Sequence, residues 1–210
     1  MHYNFIAIEG NIGAGKTSLA TRIAEEYNAR LILEQFEDNS FLPKFYQDPD
    51  KYAFPLEMSF LAARFQQLKD RLGTQDLFKS FTISDYFIIK SLIFAQKTLA
   101  EDEFNLYTRF FNIIYQQLPK PDLLVYLHLE TSRLQQNIKK RGREYEQQIS
   151  DGYLEKIREG YFDFIRQHTD MRILLIDTNN LDFVNNPEDY ETLRDAISQP
   201  YPFGVHRLTF

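Results

Sequence analysis

Gly10-Asn11-Ile12-Gly13-Ala14-Gly15-Lys16-Thr17 is the stretch on which the fold turns. It fits G-x-x-x-x-G-K-[ST] at every fixed position. The apolar run just before it, residues 3–9, reads as a buried strand, and residues 16–27 place Leu19, Ile23 and Ala24 on one face of a helix. Strand, glycine loop and helix in that order let the backbone curl until successive N–H groups point at phosphate oxygens, with the positive end of the helix dipole behind them. Lys16 supplies a mobile charge for the β- and γ-phosphates, and Thr17, or Ser18 as a second candidate, a hydroxyl for Mg²⁺. Gly10 through Ser18 are therefore the expected nucleotide-binding residues.

Outward from this loop, a second short strand at 31–33 ends at Glu34 and a third at 82–84 ends at Asp85. Residues 123–127 and 172–176 read as strands four and five. Helical periodicity covers 56–72, 87–99, 105–118, a stretch from 131 into Lys139-Lys140-Arg141-Gly142-Arg143, then 151–168 and 188–198. The segment 35–55, with Pro43, Pro49 and Pro55, reads as irregular, residues 177–187 as loop, and the last dozen residues lack a clear period. Short apolar strands separated by helices predict an α/β fold: a five-stranded parallel sheet with helices on both faces. In such sheets ligands bind beyond the carboxyl ends of the strands, where the Gly10 loop, Glu34 and Asp85 fall. With 210 residues, no internal repeat and no Gly/Ser linker, one domain spanning 1–210 is expected.

The formal net charge of −6 gives no global attraction to nucleic acid or to an anionic membrane. The absence of cysteine excludes disulfides and thiolate chemistry, and suits a reducing compartment such as the cytosol. No apolar run approaches the roughly 20 residues that span a bilayer, and the N-terminus lacks the pattern of a secretory signal, so the chain reads as complete and soluble.

The glycine loop, Glu34, Phe45-Tyr46-Gln47-Asp48-Pro49 and Arg141-Gly142-Arg143-Glu144-Tyr145-Glu146 together resemble the deoxynucleoside kinase family over residues 5–182. The resemblance implies ATP and Mg²⁺ as cofactors and a deoxynucleoside 5′-hydroxyl as acceptor. It makes Glu34 the general base, with Glu37 and Asp38 as nearby competitors, and places Tyr46 and Glu146 at the 3′-hydroxyl. Arg141 and Arg143 become a short lid closing on the phosphates, hinged at Gly142. It further implies a homodimer packed through long helices such as 87–99, and an adenine site near 177–183.

Two positions depart from the family pattern. An arginine usually follows the acid after strand three, whereas this chain reads Ser84-Asp85-Tyr86; Asp85 can still serve Mg²⁺ through a water, but Tyr86 offers no charge. Where relatives present glutamine to the nucleobase, this chain has Glu57, and Arg64 seven residues on shares its helix face. The two can read a base or pair with each other. An ionised Glu57 offers acceptors only, which suits guanine's adjacent N1–H and N2 donors; a protonated one would act as glutamine does and admit adenine. The alternatives are a kinase for a nucleoside monophosphate or another heterocycle, and a nucleotide-binding adaptor without catalysis. A monophosphate acceptor needs added positive charge beside Glu34, and residues 34–50 hold no arginine and only Lys44.

Overall fold

The glycine loop lies between β1 (Phe5–Gly10) and α1 (Lys16–Tyr27). The computed structural model describes residues 1–35, 39–74 and 76–210, the side chains of Tyr46 and Tyr145 excepted. Glu37 and Asp38, the competitors of Glu34, and the Tyr46 side chain therefore lie outside the described residues. Contacts divide the chain into two compact units. Met1–Leu33, Asp76–Tyr86 and Lys120–Phe210 form the first, and Glu34–Gln75 with Phe87–Pro119 the second.

The first unit holds the whole sheet. To β1 it adds β2 (Arg30–Ile32), β3 (Thr82–Ser84), β4 (Leu123–His128), β5 (Arg172–Asp177) and β6 (Gly204–Thr209). All neighbours pair in parallel in the order β2-β3-β1-β4-β5-β6. Every residue of β1 is buried. Successive side chains point to opposite faces, so both faces of the sheet are covered there, as a parallel sheet requires. From β1 the chain crosses to one side for β2 and β3 and to the other for β4 to β6, which puts the carboxyl end of β1, and with it the glycine loop, at a topological switch point. The other helices of this unit are α6 (Thr131–Arg141), α7 (Asp151–Gln167) and α8 (Pro187–Ile197).

The sheet thus has six strands where the sequence predicts five. Residues 204–209 alternate in character and are only half-buried or exposed, because β6 is an edge strand that pairs with β5 alone. An edge strand does not need the continuous apolar run that marks a buried one.

The second unit is helical: α2 (Leu42–Gln47), α3 (Pro49–Leu72), α4 (Ile89–Thr98) and α5 (Glu101–Tyr115). The segment expected to be irregular is α2 and the first turns of α3, which begins at Pro49, runs through Pro55 and forgoes the hydrogen bond Pro55 cannot donate. Packing offsets that loss. Ala53, Leu56, Leu61 and Leu68 lie buried along α3, and Glu57 and Arg64 are buried with them. Two charged residues on a helix's inner face require partners there. No helix among the described residues is long and apolar enough to cross a membrane.

Candidate active site

In the first unit the loop takes its shape from glycines that no other residue could replace cheaply. Gly15 caps α1 at φ 84°, and a Cβ there would sit 2.6 Å from Phe183 Cζ; at Gly13, φ 84°, it would meet the Leu134 carbonyl at 2.9 Å. Side chains hold the loop from outside. Buried Asn11 donates through Nδ2 to the Leu154 carbonyl at 2.7 Å and accepts from the Ile12 N–H, and Asn137 Nδ2 donates to the Gly13 carbonyl at 2.8 Å. The Lys16 ammonium arches back over the loop to the carbonyls of Gly10 (3.0 Å) and Asn11 (2.8 Å), on the concave side where phosphate oxygens would bind. Ala14 is buried.

Thr17 Oγ1 donates to Asp85 Oδ2 at 2.5 Å, so the first turn of α1 and the residue just beyond β3 share one hydrogen bond. Ser18 lies beside it, lining a cavity of about 570 Å³ with Thr17, Thr21, Arg22, Glu25 and Val184. The residue after Asp85 is indeed no cation: Tyr86 is fully buried.

The basic segment ends α6. Gly142 adopts φ 73° with no atom within 4 Å of where a Cβ would stand, a left-handed turn that lets the chain reverse into the 3-10 turn Glu144–Glu146. That reversal brings Arg141 and Arg143 onto one carboxylate. Arg141 pairs with Glu146 Oε2, and Arg143 NH1 lies 3.4 Å from Oε1. Glu146 is buried while both arginines are about a third exposed.

In the second unit the helices converge on Glu34. Arg64 on α3 donates from Nε (2.8 Å) and NH2 (2.6 Å) to Glu34 Oε1, and from NH1 to Ser91 Oγ at 2.7 Å. Lys90 in the first turn of α4 reaches Oε2 at 2.5 Å. Burial opposes the charged form of Glu34, but Lys90 and Arg64 outweigh it and hold the carboxyl well below the usual carboxylate range. Arg64 and Glu57 do not hydrogen-bond to each other. Glu57 Oε1 instead accepts from Thr98 Oγ1 at 3.0 Å. Burial, partly countered by Arg64, raises the Glu57 carboxyl to about 7. Tyr107 on α5 donates to the Ser91 carbonyl and closes the network; burial and the nearby Glu57 push its phenol up, which keeps it neutral.

Lys90 and Ser91 were not among the residues that sequence reasoning picked out. The signal was there in Phe87-Ile88-Ile89-Lys90-Ser91-Leu92-Ile93-Phe94: one lysine beside a serine in an otherwise apolar stretch, a charge that is not buried unless an anion meets it. A positive charge does stand beside Glu34, though not from position 86. The role of Phe183 against the loop had no sequence signal, since it depends on contact across the fold.

A glycine loop at the switch point of a parallel sheet, with a hydroxyl–carboxylate pair beside its lysine, defines a P-loop nucleotide-binding α/β protein. The sequence profile of the family described as Deoxynucleoside kinase matches residues 6–200. The chain is 38% identical over 202 residues to deoxyguanosine kinase of Bacillus subtilis, covering 93% of this chain and 96% of that one. It is 32% identical to deoxyadenosine kinase of Dictyostelium discoideum, covering 93% and 78%. Deoxyadenosine kinase from M. mycoides with bound dATP superposes with a TM-score of 0.79 at 26% identity, covering 93% and 100% of the two chains. The chain therefore belongs to the deoxynucleoside kinase family and is an enzyme that phosphorylates deoxynucleosides.

Proposed function

We propose that the chain moves the γ-phosphoryl group of ATP to the 5′-hydroxyl of a purine deoxynucleoside, with Glu34 as general base. The observation that carries this reading is the pair of cations on Glu34, which keeps it an ionised, oriented carboxylate despite its burial. Attack on phosphorus proceeds through a loose transition state, so the hydroxyl becomes acidic only as the new P–O bond forms. A carboxylate of low basicity suffices for that late proton, provided it lies within hydrogen-bond reach of the hydroxyl.

At the phosphate end, Lys16 and the backbone N–H groups of residues 10–17 bind the β- and γ-phosphates. Thr17 and Asp85 would hold Mg²⁺, a hard cation suited to a hydroxyl and a carboxylate. When bound, it neutralises charge on the phosphates. Arg141 and Arg143 meet the transferring group once Glu146 gives them up, and Glu146 with Tyr46 then serves the sugar 3′-hydroxyl. The purine preference rests on Glu57 and on the named activities of the relatives. A homodimer also fits, with an apolar face on α5 rather than on the mostly buried α4: Leu106, Phe110 and Ile113 share one side of that helix and are exposed.

Multiple-turnover ADP release with the four deoxynucleosides, their monophosphates and no acceptor tests the reading. A purine deoxynucleoside is expected to give the highest kcat/KM, and Glu34→Gln to lose turnover with KM nearly unchanged. Turnover that depends on a monophosphate, or that survives in Glu34→Gln, would overturn it.

A further inference from the structure

We infer that Lys90 is a positioning residue of the phosphotransfer reaction: it holds the Oε2 side of Glu34 and keeps that carboxylate ready to receive the hydroxyl proton. The inference rests on the reading of Glu34 as general base. Lys90 is 7% exposed on a helix turn it shares with buried Ile89, Ser91 and Ile93. Packing alone gives no reason for an ammonium there, since a buried ion costs more than a hydrophobic residue of similar volume unless an anion meets it. The anion is Glu34, at 2.5 Å.

Arg64 and Lys90 are not equivalent holders. The guanidinium is fixed by three hydrogen bonds, two to Oε1 and one to Ser91, so its plane sets the carboxylate's orientation. The lysine is a point charge on a flexible stem with three rotatable donors. It can keep one proton on Oε2 while another turns toward an arriving oxygen. Lys90 is thus the partner that can adjust when the acceptor hydroxyl comes to the carboxylate.

The charge balance of the cluster makes its loss readable. Glu34 is faced by Glu57 and Arg64 from α3, by Lys90 with neutral Ser91 and Thr98 from α4, and by the neutral phenol of Tyr107 from α5. Without Lys90, Arg64 is the cation that the described residues leave beside the two buried carboxyls of Glu34 and Glu57. Burial then acts on Glu34 with the attraction of Lys90 removed, and its carboxyl moves up toward its ordinary value of 4.5 or somewhat past it.

The test uses full-length wild type, Lys90→Met, Lys90→Gln, Lys90→Arg and Glu34→Gln, with kcat and KM for the best deoxynucleoside measured at saturating ATP from pH 5 to 9 and Tm measured at each pH. Removing an opposite charge at this range shifts a carboxyl by about 1–3 pH units. Lys90→Met and Lys90→Gln are therefore expected to show an acid limb in kcat that wild type lacks, setting in below about pH 6 and reaching about a twofold loss at pH 5 relative to pH 9, with nucleoside KM within about threefold. Lys90→Arg restores the charge and is expected to remove the limb. The glutamine variant carries the same readout should the methionine variant fail to fold. A wild-type profile in the uncharged variants overturns the inference, as does a loss uniform in pH that follows Tm and is shared by Lys90→Arg. Glu34→Gln separates the two failures. If it retains turnover, the general-base reading falls; if it is inactive while the Lys90 profiles stay flat, only the role of Lys90 falls.

Discussion

Glu57 makes a prediction about base choice that pH alone can test. With its carboxyl raised to about 7 by burial, about a tenth of it is ionised at pH 6 and about nine-tenths at pH 8. Arg64 does not hold it in either state by a hydrogen bond, because that side chain is bound to Glu34 and Ser91. The ionised form presents two acceptors, matching guanine's N1–H and N2 amino group; the protonated form presents one donor and one acceptor, matching adenine's N1 and N6 amino group. If each base takes only its matching form, the ratio of kcat/KM for deoxyguanosine to that for deoxyadenosine rises about tenfold per pH unit, so about a hundredfold between pH 6 and 8. The substitution is Glu57→Gln, which cannot titrate. It is expected to flatten that ratio and to lower kcat/KM for deoxyguanosine about 10–100-fold, through loss of charge-assisted hydrogen bonds. The assay is initial-rate competition between the two nucleosides, with products separated chromatographically. A wild-type ratio constant from pH 6 to 8, or one that moves equally in Glu57→Gln, would refute the argument that Glu57 reads the base.

Two other perturbations act on the phosphate end. Lys16→Ala should abolish nearly all turnover at saturating ATP in the ADP-release assay, because it deletes the ammonium that the loop carbonyls of Gly10 and Asn11 hold over the phosphate site. Arg141→Ala and Arg143→Ala should each lower kcat about 10³-fold, by analogy with arginine fingers; single-turnover kinetics would show mild effects at both positions if the arginines served only to neutralise Glu146.

Where local chemistry decided the conformation, the sequence was legible. The loop and α1 follow from glycines and a 3.6-residue period, and β3 at Thr82–Ser84 from a short apolar run, so Thr17 and Asp85 could be expected at the same end of the sheet. Where packing overrode local preference it was not. Pro55 reads as a break but lies within α3, because the face carrying Leu56, Leu61 and Leu68 is buried along its length. β6 reads as irregular, because a single neighbour completes it. The candidate site divides in the same way. Glu34, Glu57 and Arg64 could be named from position and spacing, but which of the two carboxylates Arg64 would take depended on Ser91 and Lys90, and those come from a helix about 25 residues further along the chain.

The place of β1 in the sheet bears on how the molecule is made. Its six residues pair with β3, which begins at Thr82, and with β4, which ends at His128, so both partners are translated after it. During synthesis at about 5–20 residues per second, the stretch from the end of β1 at Gly10 to the end of β4 at His128 therefore takes roughly 6–24 s to make, and the phosphate loop, whose Gly13 carbonyl is tied to Asn137, waits a little longer still. Throughout that interval an apolar strand lacks the neighbours that bury it in the folded sheet. The glycine loop is thus translated well before the strands and the side chain that complete it.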